Sequence, residues 1–174
     1  MVSAALIAFA SAGGLAQEHQ HGTTEKLGEI HFAISCTEAA QREFNHSVAL
    51  LHSFQFSRAI EGFNLVLGED PTCGVAYWGI ALSDWSNPFA PGIKDTEQLR
   101  LGRENSERGK NVCAKTEREE SYLAAVSQLY RDFANTPQQA RLRAYRDAMR
   151  DVAAKYQTDV SVWPRPMDEG GARV

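Results

Sequence analysis

The chain has 174 residues, of which 43% are hydrophobic, 9% aromatic and 23% charged, with a formal net charge of -4. An apolar fraction this high with so small a net charge excludes a disordered chain, and the lack of a basic excess argues against nucleic acid as a partner. Three cysteines are too few for a disulfide-framed miniprotein, yet an odd number in an exported chain raises the question of which two pair.

Residues 2–10 are an apolar run, followed by Ser11, Gly13, Gly14 and Leu15-Ala16-Gln17, which reads as a signal-peptide core and cleavage site with cutting after Ala16. No Lys or Arg precedes the run, so a start upstream of Met1 or an unusual signal is implied; the alternative is an apolar N-terminal core helix. The run is shorter than the ~20 residues a spanning helix needs, and no permanent membrane span is expected. The destination is periplasmic or secreted, an oxidising compartment. Residues 17–34 form a polar leader without sustained periodicity, read as flexible, with order beginning near His31.

Ser35-Cys36-Thr37-Glu38 has the spacing of a capping box, Ser35 capping and Glu38 reciprocating. The helix it opens carries Phe44, Val48 and Leu51 on one face. After a brief interruption at Ser53–Phe56, a second stripe of Phe56, Ile60, Phe63 and Leu67 runs to the Asp70-Pro71 stop. So short a turn makes the two helices an antiparallel pair. The segment 74–86 is apolar on two sides, with Tyr77, Ile80, Ala81 and Asp84 on one and Trp78, Leu82 and Trp85 on another, and is expected to lie between neighbours. Two prolines in 87–92 break the chain. The charged stretch from Asp95 to about Val112 reads as helix. Thr116-Glu117-Arg118-Glu119 is a further capping box, leading into Tyr122, Val126, Leu129, Tyr130 and Phe133. Thr136-Pro137 starts the last helix with proline at the first helical position, and Leu142, Tyr145, Met149, Val152 and Tyr156 recur at steps of three and four. No alternating β-branched run appears, so the fold class is all-α.

Ala59, Phe63, Val66 and Pro71 stand where the ~34-residue tetratricopeptide repeat places a small residue, an aromatic, a small apolar residue and a closing proline. Tyr77, Ile80 and Ala81 match the first helix of the next unit. With His31-Phe32, Ser35-Cys36, Leu50–Phe54, Ala76–Ser83, Asn87-Pro88-Phe89 and Ala114–Glu119, the chain resembles a group of exported bacterial tetratricopeptide-repeat proteins over roughly residues 29–157. Two departures stand out: His46 and Ser47 occupy positions where the repeat prefers a large apolar residue and glycine, and the 87–92 insertion replaces a short turn. The resemblance implies an α-solenoid of antiparallel hairpins over 35–157. It also implies that such proteins continue into further repeats, so the aperiodic tail 158–174 reads as a truncation, a shifted frame or a disordered end.

Solenoids present a concave face lined by the first helix of each pair. Carried over by motif position, this surface comprises Phe44, Val48, Leu51 and His52 from the first unit and Val75, Trp78, Leu82 and Trp85 from the second. The alternative is that the large apolar residues are inter-helix core, with Trp85 beside the proline-rich break the better contact. The same repeat alignment sets Cys36 and Cys73 at the starts of successive first helices and so implies a disulfide between them, leaving Cys113 as a thiol near a helix end or, alternatively, as a cysteine that pairs between molecules. The implied function is a non-catalytic scaffold for a protein or peptide, with no cofactor; the oligomeric state is not legible.

A second function class rests on Glu-His-Gln-His: cleavage after Ala16 makes His19 the third residue, where the terminal amine, backbone nitrogens and imidazole form a tetragonal copper(II) site, with His21 nearby. Against it, an N-terminal glutamine cyclises and no third side-chain ligand is in view. His31, His46 and His52 complete no set. There is no nucleophile elbow, phosphate-binding loop or zinc His-Glu-x-x-His motif, and Glu117, Glu119 and Glu120 read as charge complementing a helix N-terminus.

Overall fold

The computed structural model describes residues 27, 30–90, 92–112 and 116–156. Among them it contains six α-helices, one short 3-10 turn and no strand. The expected signal peptide, His19, His21, Cys113 and the tail lie outside the described residues.

Helix α1 (Glu38–His52) starts at Thr37, whose hydroxyl accepts from the Ala40 amide. Ser35 is therefore not the cap that the box spacing suggested, because its side chain is engaged elsewhere. After a turn in which Phe54 takes a positive φ of 61°, α2 (Phe56–Glu69) packs against α1. Asp70, expected only as part of a helix stop, is an anchor: its carboxylate accepts from the amides of Thr37 and Thr72 and from the Thr72 hydroxyl. Helix α3 (Val75–Trp85) packs against α1, α2, α4 and α5, which is why it is apolar on more than one side.

Helix α4 (Thr96–Asn111) is capped by Asp95 and packs along α3. Helix α5 (Glu117–Ser127) starts at Thr116, whose hydroxyl accepts from the Glu119 amide. Its pattern does not continue as α-helix to Phe133: it passes into the 3-10 turn Gln128–Tyr130 and a tight turn in which Asp132 has φ 41°. Helix α6 (Gln138–Lys155) begins one residue after Pro137, which stands at the cap position rather than inside the first turn. It packs against α5 and the 3-10 turn.

One close approach locks α2 to α3. A Cβ on Gly79 would fall inside contact distance of the Phe63 ring, so the glycine is a seat for that aromatic. Between α1 and α2, a Cβ on Gly62 would collide with the Ser47 hydroxyl.

Candidate functional site

Residues 30–34, read from sequence as the end of a flexible leader, are held across the helices. Phe32 is buried and its ring meets one aromatic from each of three helices. Its centroid lies 5.3 Å from Phe44 of α1, 5.5 Å from Trp78 of α3 in a stacked pose, and 5.1 Å from Tyr122 of α5. The Arg118 guanidinium of α5 sits 4.3 Å from the same centroid, a cation–π placement.

The main chain on either side of this ring is bonded by side chains rather than by another strand. The Phe32 amide donates to Asn45 Oδ1 at 3.1 Å, and the Phe32 carbonyl accepts from Gln41 Nε2 at 2.8 Å. The Ile34 amide donates to Gln41 Oε1 at 2.8 Å, and Arg118 donates to the Ala33 carbonyl at 2.6 Å. Glu119 completes the set: its two carboxylate oxygens accept from the Ser35 amide and the Ser35 hydroxyl, each at 2.7 Å. Glu119 stands in the first turn of α5, as expected, and these contacts add a role that the sequence did not show. The carboxylate is buried, and charged acceptors with two donors are among the stronger hydrogen-bonded arrangements.

Immediately after this segment, Cys36 is joined by a disulfide to Cys73, which lies just before α3, with the two Cα atoms 5.4 Å apart. The bond and the Thr37–Asp70 contact set the point at which the extended segment enters the helical body.

Seven of the eight residues expected on a partner-binding face, namely Phe44, Val48, Leu51, Val75, Trp78, Leu82 and Trp85, are buried. They are core, not open surface. For Phe44 and Trp78 part of the cover is Phe32 itself. Trp85, the residue singled out beside the break, is only 2% exposed; Tyr130 packs edge-on at 5.9 Å, and Lys94 and Arg141 each lie 5.6 Å from its ring. Only His52 faces solvent, and desolvation by neighbouring atoms still holds its pKa below the ordinary histidine value. The Trp78 indole nitrogen is buried with no hydrogen-bond acceptor among the described residues.

Sequence reasoning missed Phe32, Gln41, Asn45, Arg118 and Glu119 as one group. A signal was present in Ile30-His31-Phe32-Ala33-Ile34, whose alternation of apolar and small or polar residues is that of an extended segment with one buried side. Burial follows that alternation, with Phe32 inside and His31 and Ala33 exposed.

A second surface feature joins two turns. Phe54 packs against Phe56 at 5.9 Å and against Phe89 at 6.5 Å, while Phe89 is 71% exposed and nearby in sequence Ile93 is 87% exposed. Among the described residues there is no group of three or more His, Cys, Asp or Glu side chains placed to hold a metal ion, and no helix long and apolar enough to cross a membrane. Compared with family models, with curated proteins and with solved structures, the chain finds no significant match in any of the three.

Proposed function

We propose that this chain is an exported, non-catalytic scaffold of the tetratricopeptide-repeat type. In this reading its helices stack as antiparallel hairpins and the side formed by α1, α3 and α5 holds an extended protein or peptide segment. The observation that carries the proposal is the seating of residues 30–35. Side chains from α1 and α5 bond four consecutive peptide groups, and three helices supply the aromatic pocket for Phe32. A helical surface that grips polypeptide in this way has the chemistry of peptide recognition, in which main-chain bonds hold the segment and spaced pockets select its side chains. The packing order supports the stacked arrangement: α1 meets α2 and α3, α3 meets α4 and α5, and α5 meets α6, the nearest-neighbour pattern of helical-hairpin repeats.

The test is photo-crosslinking in the exporting cell. A photoreactive residue at position 118, beside the bound segment, should yield a discrete adduct with a second polypeptide. The same group at Arg143, on the exposed part of α6, should yield none. Equal adducts from both positions, or from neither, would remove the scaffold reading.

A further inference from the structure

We infer that Ile30–Ser35 is a built-in occupant of the α1–α3–α5 face which a partner must displace, and that this partner is an extended peptide carrying an aromatic residue followed three positions later by serine. The inference rests on the peptide-holding reading above and adds both the ligand chemistry and the regulation.

The partner chemistry follows from which parts of the segment are read. The bonds from Asn45, Gln41, Arg118 and Glu119 to the backbone of residues 32–35 are blind to side-chain identity. Ile30 and Ile34 pack partly buried against the core and ask only for apolar bulk, while two side chains are read closely. Phe32 fills the pocket between Phe44, Trp78 and Tyr122 beneath Arg118, and the Ser35 hydroxyl donates to Glu119. His31 and Ala33 are exposed, so the positions flanking the aromatic are free to vary. A carboxylate in place of the serine would face Glu119 and be rejected, which sets a second rule for the partner.

Displacement is geometrically open because the described covalent links of the segment to the helical body both lie at one end. They are the peptide bond from Ser35 onward and the Cys36–Cys73 disulfide next to it. The helical aromatics also pack on one another without Phe32, with Trp78 5.4 Å from Tyr122 and Phe44 5.3 Å from Phe63. A tethered segment competes at an effective concentration on the order of millimolar, so a free peptide binds the wild-type face weakly. It gains affinity as the tethered copy is weakened, because apparent affinity scales with the open fraction.

The experiment uses the full oxidised chain and a fluorescein-labelled peptide of sequence Ile-His-Phe-Ala-Ile-Ser, read by fluorescence anisotropy. Phe32→Ala should bind this probe roughly ten-fold or more tighter than wild type, and Ser35→Ala should bind it several-fold tighter. The same probe with alanine for phenylalanine should bind none of them. Equal binding to all three chains, or no binding to any variant that keeps its helical circular dichroism, overturns the inference. Should Phe32→Ala lose its helical signal, Ser35→Ala carries the comparison together with hydrogen exchange. Excess unlabelled probe should then speed exchange of the amides of 32–35 in the wild-type chain, and unchanged exchange with no Ser35→Ala effect overturns it equally. Probe binding without a cellular adduct at position 118 would remove only the scaffold function. An adduct without probe binding would remove only the built-in occupant.

Discussion

The two halves of the molecule close their helix interfaces with different balances of large and small side chains. From residue 30 to α3, large rings fill the space: Phe32, Phe44, Phe63 and Trp78 are all buried and in contact, and a disulfide ties the segment's end to the start of α3. In α4 the buried positions are Leu99, Gly102, Ser106 and Gly109, so the helix comes close by having little there. Tyr130 occupies the space over Gly102 and Leu123 the space over Gly109. Helix α6 buries Arg141, Tyr145 and Val152, and Arg141 is tolerated because it donates to the carbonyls of Leu129 and Thr136. Both halves seat a ring on a glycine, Phe63 on Gly79 and Tyr130 on Gly102, but the first half adds a cluster of touching aromatics, whereas the buried positions of α4 are mostly small. The two halves should therefore fail under different substitutions.

The largest effect is expected where one ring serves three helices. Phe32→Ala deletes a fully buried aromatic and should lower unfolding free energy by about 3–5 kcal/mol in a denaturant titration. A loss below about 1 kcal/mol would mean that residues 30–35 contribute little to the core. Next comes the cross-link. Its cysteines are 37 positions apart, and a closed loop of that size restricts the unfolded chain by about 4 kcal/mol on the entropy model. Reduction, or Cys73→Ala, should bring a loss near that size, and hydrogen exchange should place the loosened amides in 30–36 and the start of α3. If exchange instead rises first in α6, the disulfide does not divide the halves as described.

The other half should be sensitive to added volume. Gly102→Ala gains helix propensity worth up to about 1 kcal/mol but drives a methyl group into the Tyr130 ring, and overpacking of that kind typically costs about 1–3 kcal/mol. A net destabilisation is expected. The exposed Gly68 in α2 has nothing within reach of a Cβ, so Gly68→Ala should stabilise by a fraction of a kcal/mol up to about 1. Opposite signs at these two helical glycines would isolate the packing contribution, and equal signs would deny it.

These contrasts also explain what could be read in advance. Helical periodicity placed α1, α2, α3 and α6 well because their large apolar residues recur every three or four positions, and it overran the end of α5 at Ser127. The span of α4, read from Asp95 to about Val112, also matches Thr96–Asn111, but its buried Gly102, Ser106 and Gly109 carry no hydrophobic signal and were not legible as a packing face. Capping spacing is degenerate: Ser35 and Thr37 both precede the first turn of α1, and only the contact from Glu119, 84 residues away, decides that Ser35 is occupied elsewhere. The apolar side of α1 and α3 was legible, although its residues are core rather than the open face expected. Its cover was not, because helical periodicity says which side of a helix is apolar and nothing of what lies upon it. The extended alternation around Phe32 was the local clue, and Gln41, Asn45, Arg118 and Glu119 have meaning only once that segment is laid across them.

The smallest and most pH-dependent effect concerns the border between the halves. Asp84 near the end of α3 accepts from the Asn105 side chain of α4 at 2.8 Å. Burial raises its pKa above the ordinary aspartate value, and the Asn105 hydrogen bond only partly offsets this. Close by, the Tyr130 hydroxyl donates to the Ala81 carbonyl, and its pKa is pushed well up, chiefly by burial. The folded state therefore holds the Asp84 proton more tightly than the unfolded chain does. Its contribution is fully present below the unfolded value of about 4 and is lost as pH rises through the raised folded value. At neutral pH the ionised carboxylate is a liability, which Asp84→Asn removes while keeping an acceptor for Asn105. The melting temperature of Asp84→Asn should exceed that of wild type at pH 7, and the difference should shrink as pH falls toward 4. Parallel melting curves across that range would show that the junction between α3 and α4 is open to water, and that the close approach along α4 does not extend to its contact with Asp84.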